Sequence, residues 1–134
     1  MKSTRIVMVG SSIVLGVAGV ILLFVPLETL AILGFTDANE LTGQLLGSLY
    51  LGFAAANWTA RGSMIGGIYA RPLSIANFVH FVVGGTVLAK GISAATFNAG
   101  YISLVLVYLA FAVLFILVLY GRLQRSGKPQ SGQE

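Results

Sequence analysis

The stretch AGYISLVLVYLAFAVLFILVLYG, residues 99–121, runs for 23 residues between Asn98 and Arg122 without a charged side chain. A bilayer's hydrocarbon core is about 30 Å thick, and a helix rising about 1.5 Å per residue crosses it with about 20 apolar residues. The segment is therefore long enough to span with some tilt. Three more stretches read the same way: Ile6 to Val25 and Leu41 to Ala60, of 20 residues each, and Leu73 to Ala89, of 17. Strands do not fit, because these runs far exceed the roughly 9–11 residues of a barrel strand and an isolated strand leaves its backbone unpaired in lipid. The expected fold is an all-α integral membrane protein, with four transmembrane helices in one antiparallel bundle over residues 1–123 and a disordered tail over 124–134.

Composition agrees with this. Charged residues make up 9% of the 134, hydrophobic ones 57%, and the mean hydropathy is +0.92. Soluble domains carry about 25% charged residues, so too few charges remain here to cover a surface facing water. A disordered chain, a DNA-binding domain and a disulfide scaffold are all excluded, the last because there is no Cys.

Orientation follows from Lys and Arg, which gather on the cytoplasmic side of short-looped membrane proteins. Lys2 and Arg5 precede the first span, Arg61 and Arg71 bracket the second connection, and Arg122, Arg125 and Lys128 follow the fourth span. Only Lys90 falls on the other side, where Glu28, Asp37 and Glu40 also lie. Both termini are thus expected in the cytoplasm of a bacterial cell, with the chain in its inner membrane. The net charge of +4 is accounted for by this topology and by contact with the lipid bilayer, with no nucleic-acid partner. Ile6 to Val25 is too long for the apolar region of a signal peptide, and it ends at Phe24-Val25-Pro26 without a small-residue cleavage pattern, so it is expected to stay as a span.

The connections carry their own signals. Pro26 suits the first turn of a helix, Leu27 to Leu33 is mostly apolar, and Gly34 suits a C-terminal cap, which predicts a short interfacial helix after the first span. Asp37 followed by Glu40 resembles a capping box opening the second span. Pro72 sits where the third span would begin.

Projected at 100° per residue, Gly43, Gly47, Tyr50, Ala54, Asn57 and Arg61 share one face of the second span. Gly43 and Gly47 form G-x-x-x-G, which lets a second helix approach closely, either from this chain or from another copy. On the third span Asn77, His80, Phe81 and Gly84 share a side, on the first Ser12, Gly16 and Gly19 do, and Tyr101, Tyr108, Phe111 and Phe115 line an arc of the fourth. Helix packing is therefore assigned to Ser12, Gly16, Gly19, Gly43, Gly47, Ala54 and Gly84.

Asn57 at the inner end of the second span and Asn77 near the start of the third come level when the two run antiparallel. His80 then lies about 10 Å into the hydrocarbon, where an uncharged imidazole is expected. Polar groups at that depth turn inward and pair. Two readings stay open: a pocket for a ligand lined by Tyr50, Asn57, Asn77 and His80 and opening to the cytoplasm, or a simple interhelical hydrogen-bond clamp. Arg61, Gly66, Gly67 and Arg71 are a candidate site for an anionic headgroup, against the plainer reading that the arginines enforce topology while Trp58 and Tyr69 anchor the interface. Gln44 and Ser48, one turn apart near the outer end of the second span, are expected to bond locally. One His, no Cys and no carboxylate inside a span supply no metal set and no acid–base couple, so no catalytic residue, metal or cofactor is assigned.

The run Leu49-Tyr50-Leu51-Gly52-Phe53, continued through Arg71-Pro72 and Asn77 in a four-span chain with a short apolar segment after the first span, resembles the small bacterial DoxX-like membrane proteins and a neighbouring four-span domain family. The resemblance covers most of the chain and implies the four-helix fold. For some members it also implies a link to quinone-dependent sulfur oxidation, while many have no assigned activity. Small multidrug exporters fit less well, because Ile6 to Val25 lacks the coupling carboxylate, and dual-topology fluoride channels lack the strong charge bias seen here. The expected function is a non-enzymatic membrane protein, either an accessory or assembly subunit or a binder of a small apolar or lipid-like ligand between the second and third spans. A small transporter or channel and the membrane subunit of a quinone-linked oxidoreductase are the alternatives, and a protein partner or homo-oligomer stays open.

Overall fold

The computed structural model describes residues 2–62, 70–93 and 97–126. Those residues form five helices and no strand: α1 (Lys2–Phe24), α2 (Pro26–Ile32), α3 (Glu40–Ala60), α4 (Ala70–Lys90) and α5 (Ala99–Ser126). Three are long and apolar enough to cross a membrane: Thr4–Phe24, Arg71–Lys90 and Ala99–Tyr120. Helix α3 is as long as α4, at 21 residues, but does not reach the same hydropathy. Its polar Gln44, Ser48 and Asn57 and its three glycines lower the average. Helix α5 continues through Gln124 to Ser126, so the expected tail does not begin at 124, and residues 127–134 lie outside the described residues.

Pro26 opens α2 at its first helical positions, and Gly34, at φ 91°, closes it in the left-handed region that a side chain resists. The capping box expected at Asp37 does not form. Asn39 caps α3, its side-chain oxygen accepting from the Leu41 amide at 2.8 Å, which places the cap one residue before Glu40. Glu40 in the first turn then accepts from Gln44 Nε2 at 3.2 Å, so its carboxylate binds one turn forward instead of reaching back to a cap.

The helices pack as two antiparallel pairs, α1 with α3 and α4 with α5. In the first pair, a Cβ added at Gly47 would stand 2.8 Å from the Gly19 carbonyl oxygen, and one at Gly19 would stand 2.9 Å from that of Gly47. Backbone therefore meets backbone, which only glycine on both sides permits. Gly43 lies against Pro26, Gly16 against Ala54, and the Ser12 hydroxyl donates to the Ala54 carbonyl at 2.7 Å. In the second pair, Gly84 receives the Tyr108 ring, and the Tyr101 hydroxyl donates to the Leu88 carbonyl at 2.7 Å. Phe81 and Phe115, both wholly buried, stack between α4 and α5 at a centroid distance of 5.8 Å. The two pairs are joined by Phe111, which lies over Gly10 of α1, and by side-chain hydrogen bonds from Asn57 to Asn77 and between Tyr50 and Tyr108.

Candidate functional site

At the end of the molecule marked by Arg61 and Arg71, the two helix pairs are tied together by amides. Asn57 of α3 and Asn77 of α4 are wholly buried and bond reciprocally: Asn57 Nδ2 donates to Asn77 Oδ1 at 2.8 Å, and Asn77 Nδ2 donates to Asn57 Oδ1 at 2.7 Å. The second hydrogen of Asn57 goes to Ser11 Oγ at 3.0 Å and that of Asn77 to the Leu73 carbonyl at 2.9 Å. Ser11, also wholly buried, donates in turn to the Met8 carbonyl at 3.1 Å. Every amide hydrogen of the pair has an acceptor, as burial demands. Three helices, α1, α3 and α4, thus meet at one polar knot.

One turn further along α4, His80 stands in an aromatic nest. Its ring stacks on Phe53 at 4.9 Å and meets Tyr50 edge-on at 5.7 Å. The hydroxyls of Tyr50 and Tyr108 are hydrogen-bonded to each other, and that of Tyr108 lies 3.3 Å from His80 Nε2. Tyrosine and histidine here link α3, α4 and α5 through hydrogen-bonding groups that carry no formal charge in their neutral forms.

Beyond this floor, away from the amide pair, a cavity of about 1180 Å³ opens between the helix pairs. Its walls are Leu22 of α1, Leu30 of α2, Leu46 and Leu49 of α3, and Val79 and Val83 of α4, and its mouth is the loop from Gly34 to Ala38 that follows α2. Tyr50, His80 and Tyr108 line its inner end. Leu49, Val79, Val83 and Val87 also lie exposed on the outer surface, so the cavity is open sideways between α3 and α4.

The residues singled out as ligand-binding are therefore split. Tyr50 and His80 line the cavity, whereas Asn57 and Asn77 lie behind it, consumed by each other, and are not part of its wall. The cavity extends from His80 towards α2, opposite to the direction expected for a pocket built on the asparagines. The structure adds Ser11, Tyr108 and Phe53 to this cluster. Ser11 carries a visible signal in the sequence, a second hydroxyl beside Ser12 in an apolar span; Tyr108 shows there only as one member of an aromatic stripe.

Around the candidate headgroup site, Arg61 is occupied by its own helix end. Its guanidinium lies 3.7 Å over the Trp58 ring and donates to the Trp58 carbonyl, a cation placed at a helix C-terminus where the backbone carbonyls are unpaired. Arg71 is exposed, and Gly66, Gly67 and Tyr69 lie outside the described residues. Gln44 and Ser48 bond within α3, Ser48 Oγ donating to the Leu45 carbonyl at 2.8 Å. Among the described residues no group of three or more His, Cys, Asp or Glu side chains comes together.

Fold and site together define a small all-helical protein with helices of membrane-spanning length, a buried amide knot and an apolar cavity floored by Tyr and His. No protein-family model matches the chain, and no curated protein or solved structure matches it either.

Proposed function

We propose that the protein is a non-enzymatic, four-span protein of the bacterial inner membrane that binds a small apolar or lipid-like molecule in the cavity between α3 and α4. The observation that carries this reading is the cavity itself, a space of about 1180 Å³ walled by Leu and Val with three hydrogen-bonding side chains at its inner end. Such sites, largely apolar with a few convergent polar groups, are the usual form of a ligand pocket.

The fourth crossing is supported by how α3 sits. From Gly47 against Gly19 to Asn57 against Ser11, it lies along α1 for 10 residue steps, about 15 Å, and Gly43 continues the contact onto Pro26 of α2. A helix held lengthwise on a spanning neighbour crosses with it. Gly43, Gly47 and Asn57 turn inward, while Leu41, Leu45 and Leu49, spaced one turn apart, face outward as a lipid-contacting stripe. An even number of crossings with the basic residues on one side puts both termini in the cytoplasm. The amide knot closes the cytoplasmic side of the cavity, which favours a blind binding pocket over a transport path. An accessory role beside a membrane partner is compatible with such a pocket, as is the DoxX-like resemblance of the sequence.

Native mass spectrometry of the protein extracted with its own lipids into nanodiscs tests this. A reproducible bound mass is expected in the wild type and is lost when Val83→Trp fills the cavity entrance. A wild-type protein that carries no bound molecule, or a bound mass that survives Val83→Trp unchanged, overturns it.

A further inference from the structure

We propose that the ligand is an uncharged, hydroxyl-bearing amphiphile that enters sideways from the bilayer between α3 and α4 and hydrogen-bonds to His80. This rests on the reading of the cavity as a lipid-like binding site and assigns the chemistry of its occupant.

The polar end of the ligand is defined by the floor. His80 Nε2 faces the Tyr108 hydroxyl, which is itself bonded to Tyr50, while Nδ1 has no hydrogen-bond partner among the described residues. A neutral imidazole has one donor and one acceptor nitrogen. If Tyr108 donates to Nε2, then Nδ1 is a donor, and if Tyr108 accepts from Nε2, then Nδ1 is an acceptor. A hydroxyl group satisfies either arrangement, whereas an ester or ether oxygen satisfies only the first.

The charge of the ligand is limited by what lines the cavity. Among its described lining residues Asp37, in the loop at the mouth, is the one with a formal charge, and no Lys or Arg lies there. A phosphate or carboxylate would be desolvated there without a cation, in a cavity whose one formal charge is also negative. A neutral headgroup meets neither obstacle.

The apolar part is defined by the opening. Leu49, Val79 and Val83 are at once cavity wall and exposed surface, so a chain can slide from lipid into the cavity without leaving apolar contact. The space of about 1180 Å³ exceeds the roughly 300–1000 Å³ of pockets for compact small molecules, leaving room for a hydrocarbon tail.

Two probes with the same oleoyl chain separate these terms: monooleoylglycerol, which is neutral, and lysophosphatidylglycerol, which carries a phosphate. Delipidated protein in nanodiscs is loaded with each and examined by native mass spectrometry. Monooleoylglycerol is expected to be retained at least about tenfold better. His80→Leu should cut its retention by about tenfold, the worth of one buried hydrogen bond, and His80→Gln, which keeps a donor and an acceptor, should restore most of it. Independently of any variant, a diazirine-bearing monoacylglycerol should crosslink to wild-type peptides containing Val79 and Val83. Equal retention of the two lipids, or retention of monooleoylglycerol unaffected by His80→Leu, overturns the assignment while leaving the cavity a lipid site. Crosslinks spread over the outer surface, with both probes held no better by the wild type than by Val83→Trp, would remove the assignment and the cavity reading together.

Discussion

Asn57 and Asn77 illustrate how a buried polar pair behaves when only one member is removed. Leucine at position 57 would leave Asn77 Nδ2 and Ser11 Oγ without their partner inside a sealed contact, and an unsatisfied buried group costs about 1–3 kcal/mol. Single polar contacts in membrane proteins average only about 0.6 kcal/mol, with a maximum near 1.7. Because Asn57 takes part in three bonds, Asn57→Leu and Asn77→Leu should each cost about 1–2 kcal/mol, read as a lower unfolding midpoint in detergent. The double variant Asn57→Leu/Asn77→Leu should cost clearly less than the two added, since neither amide is then left alone; strict additivity would mean that the pair is not coupled. The pairing of these residues was legible in the sequence, because helical periodicity and antiparallel register bring positions 57 and 77 level. Their third partner was not, since periodicity tells which face a residue lies on but not which distant helix turns its own face there. Ser11 lies 46 positions from Asn57.

Among the elements, the pairing of α1 with α3 depends on glycine at one crossing and not along the whole contact. A methyl group at Gly47 would meet the backbone oxygen of Gly19 at 2.8 Å, and a backbone atom cannot rotate away. Gly47→Ala is therefore expected to cost about 1–3 kcal/mol by forcing the helices apart. Gly52, in the same helix, has nothing within 4 Å of the corresponding position, and Gly52→Ala should be neutral or stabilise by up to about 1 kcal/mol through helix propensity. Thermal unfolding of the two variants side by side checks this, and equal effects would show that the crossing is not the close contact it is taken to be. At the end of α2, Gly34→Ala should cost about 1–2 kcal/mol, because φ 91° is unfavourable for any residue with a Cβ. The small-residue stripes that make the crossing and the glycine that stops α2 were readable from spacing alone. The α3 cap was not: Asp37, Asn39 and Glu40 all have capping chemistry, and the loop after Gly34 decides which of them reaches the helix start.

For the whole molecule, the number of crossings determines what the cavity faces. Hydropathy alone gives three membrane-length helices, since α3 carries Gly43, Gly47 and Asn57 for contacts with α1, α2 and α4, and Gln44 and Ser48, which bond within the helix. Averaged composition cannot tell a polar face turned inward from one turned to water, which is why packing adds to the argument where the sequence average falls short. An odd number of crossings, with α3 lying on the surface, would put the two ends of the chain on opposite faces; an even number puts them together. The chain has no cysteine, so single cysteines can report this directly. With a membrane-impermeant maleimide on sealed vesicles of known orientation, Ser3→Cys and Ser131→Cys should label from the cytoplasmic face, and Thr36→Cys, beside the cavity mouth, from the opposite one. Labelling of Ser3→Cys and Ser131→Cys from opposite faces would take α3 out of the bilayer. The outward stripe of Leu41, Leu45 and Leu49 would then face water, and the sideways opening between α3 and α4 would no longer lead to lipid.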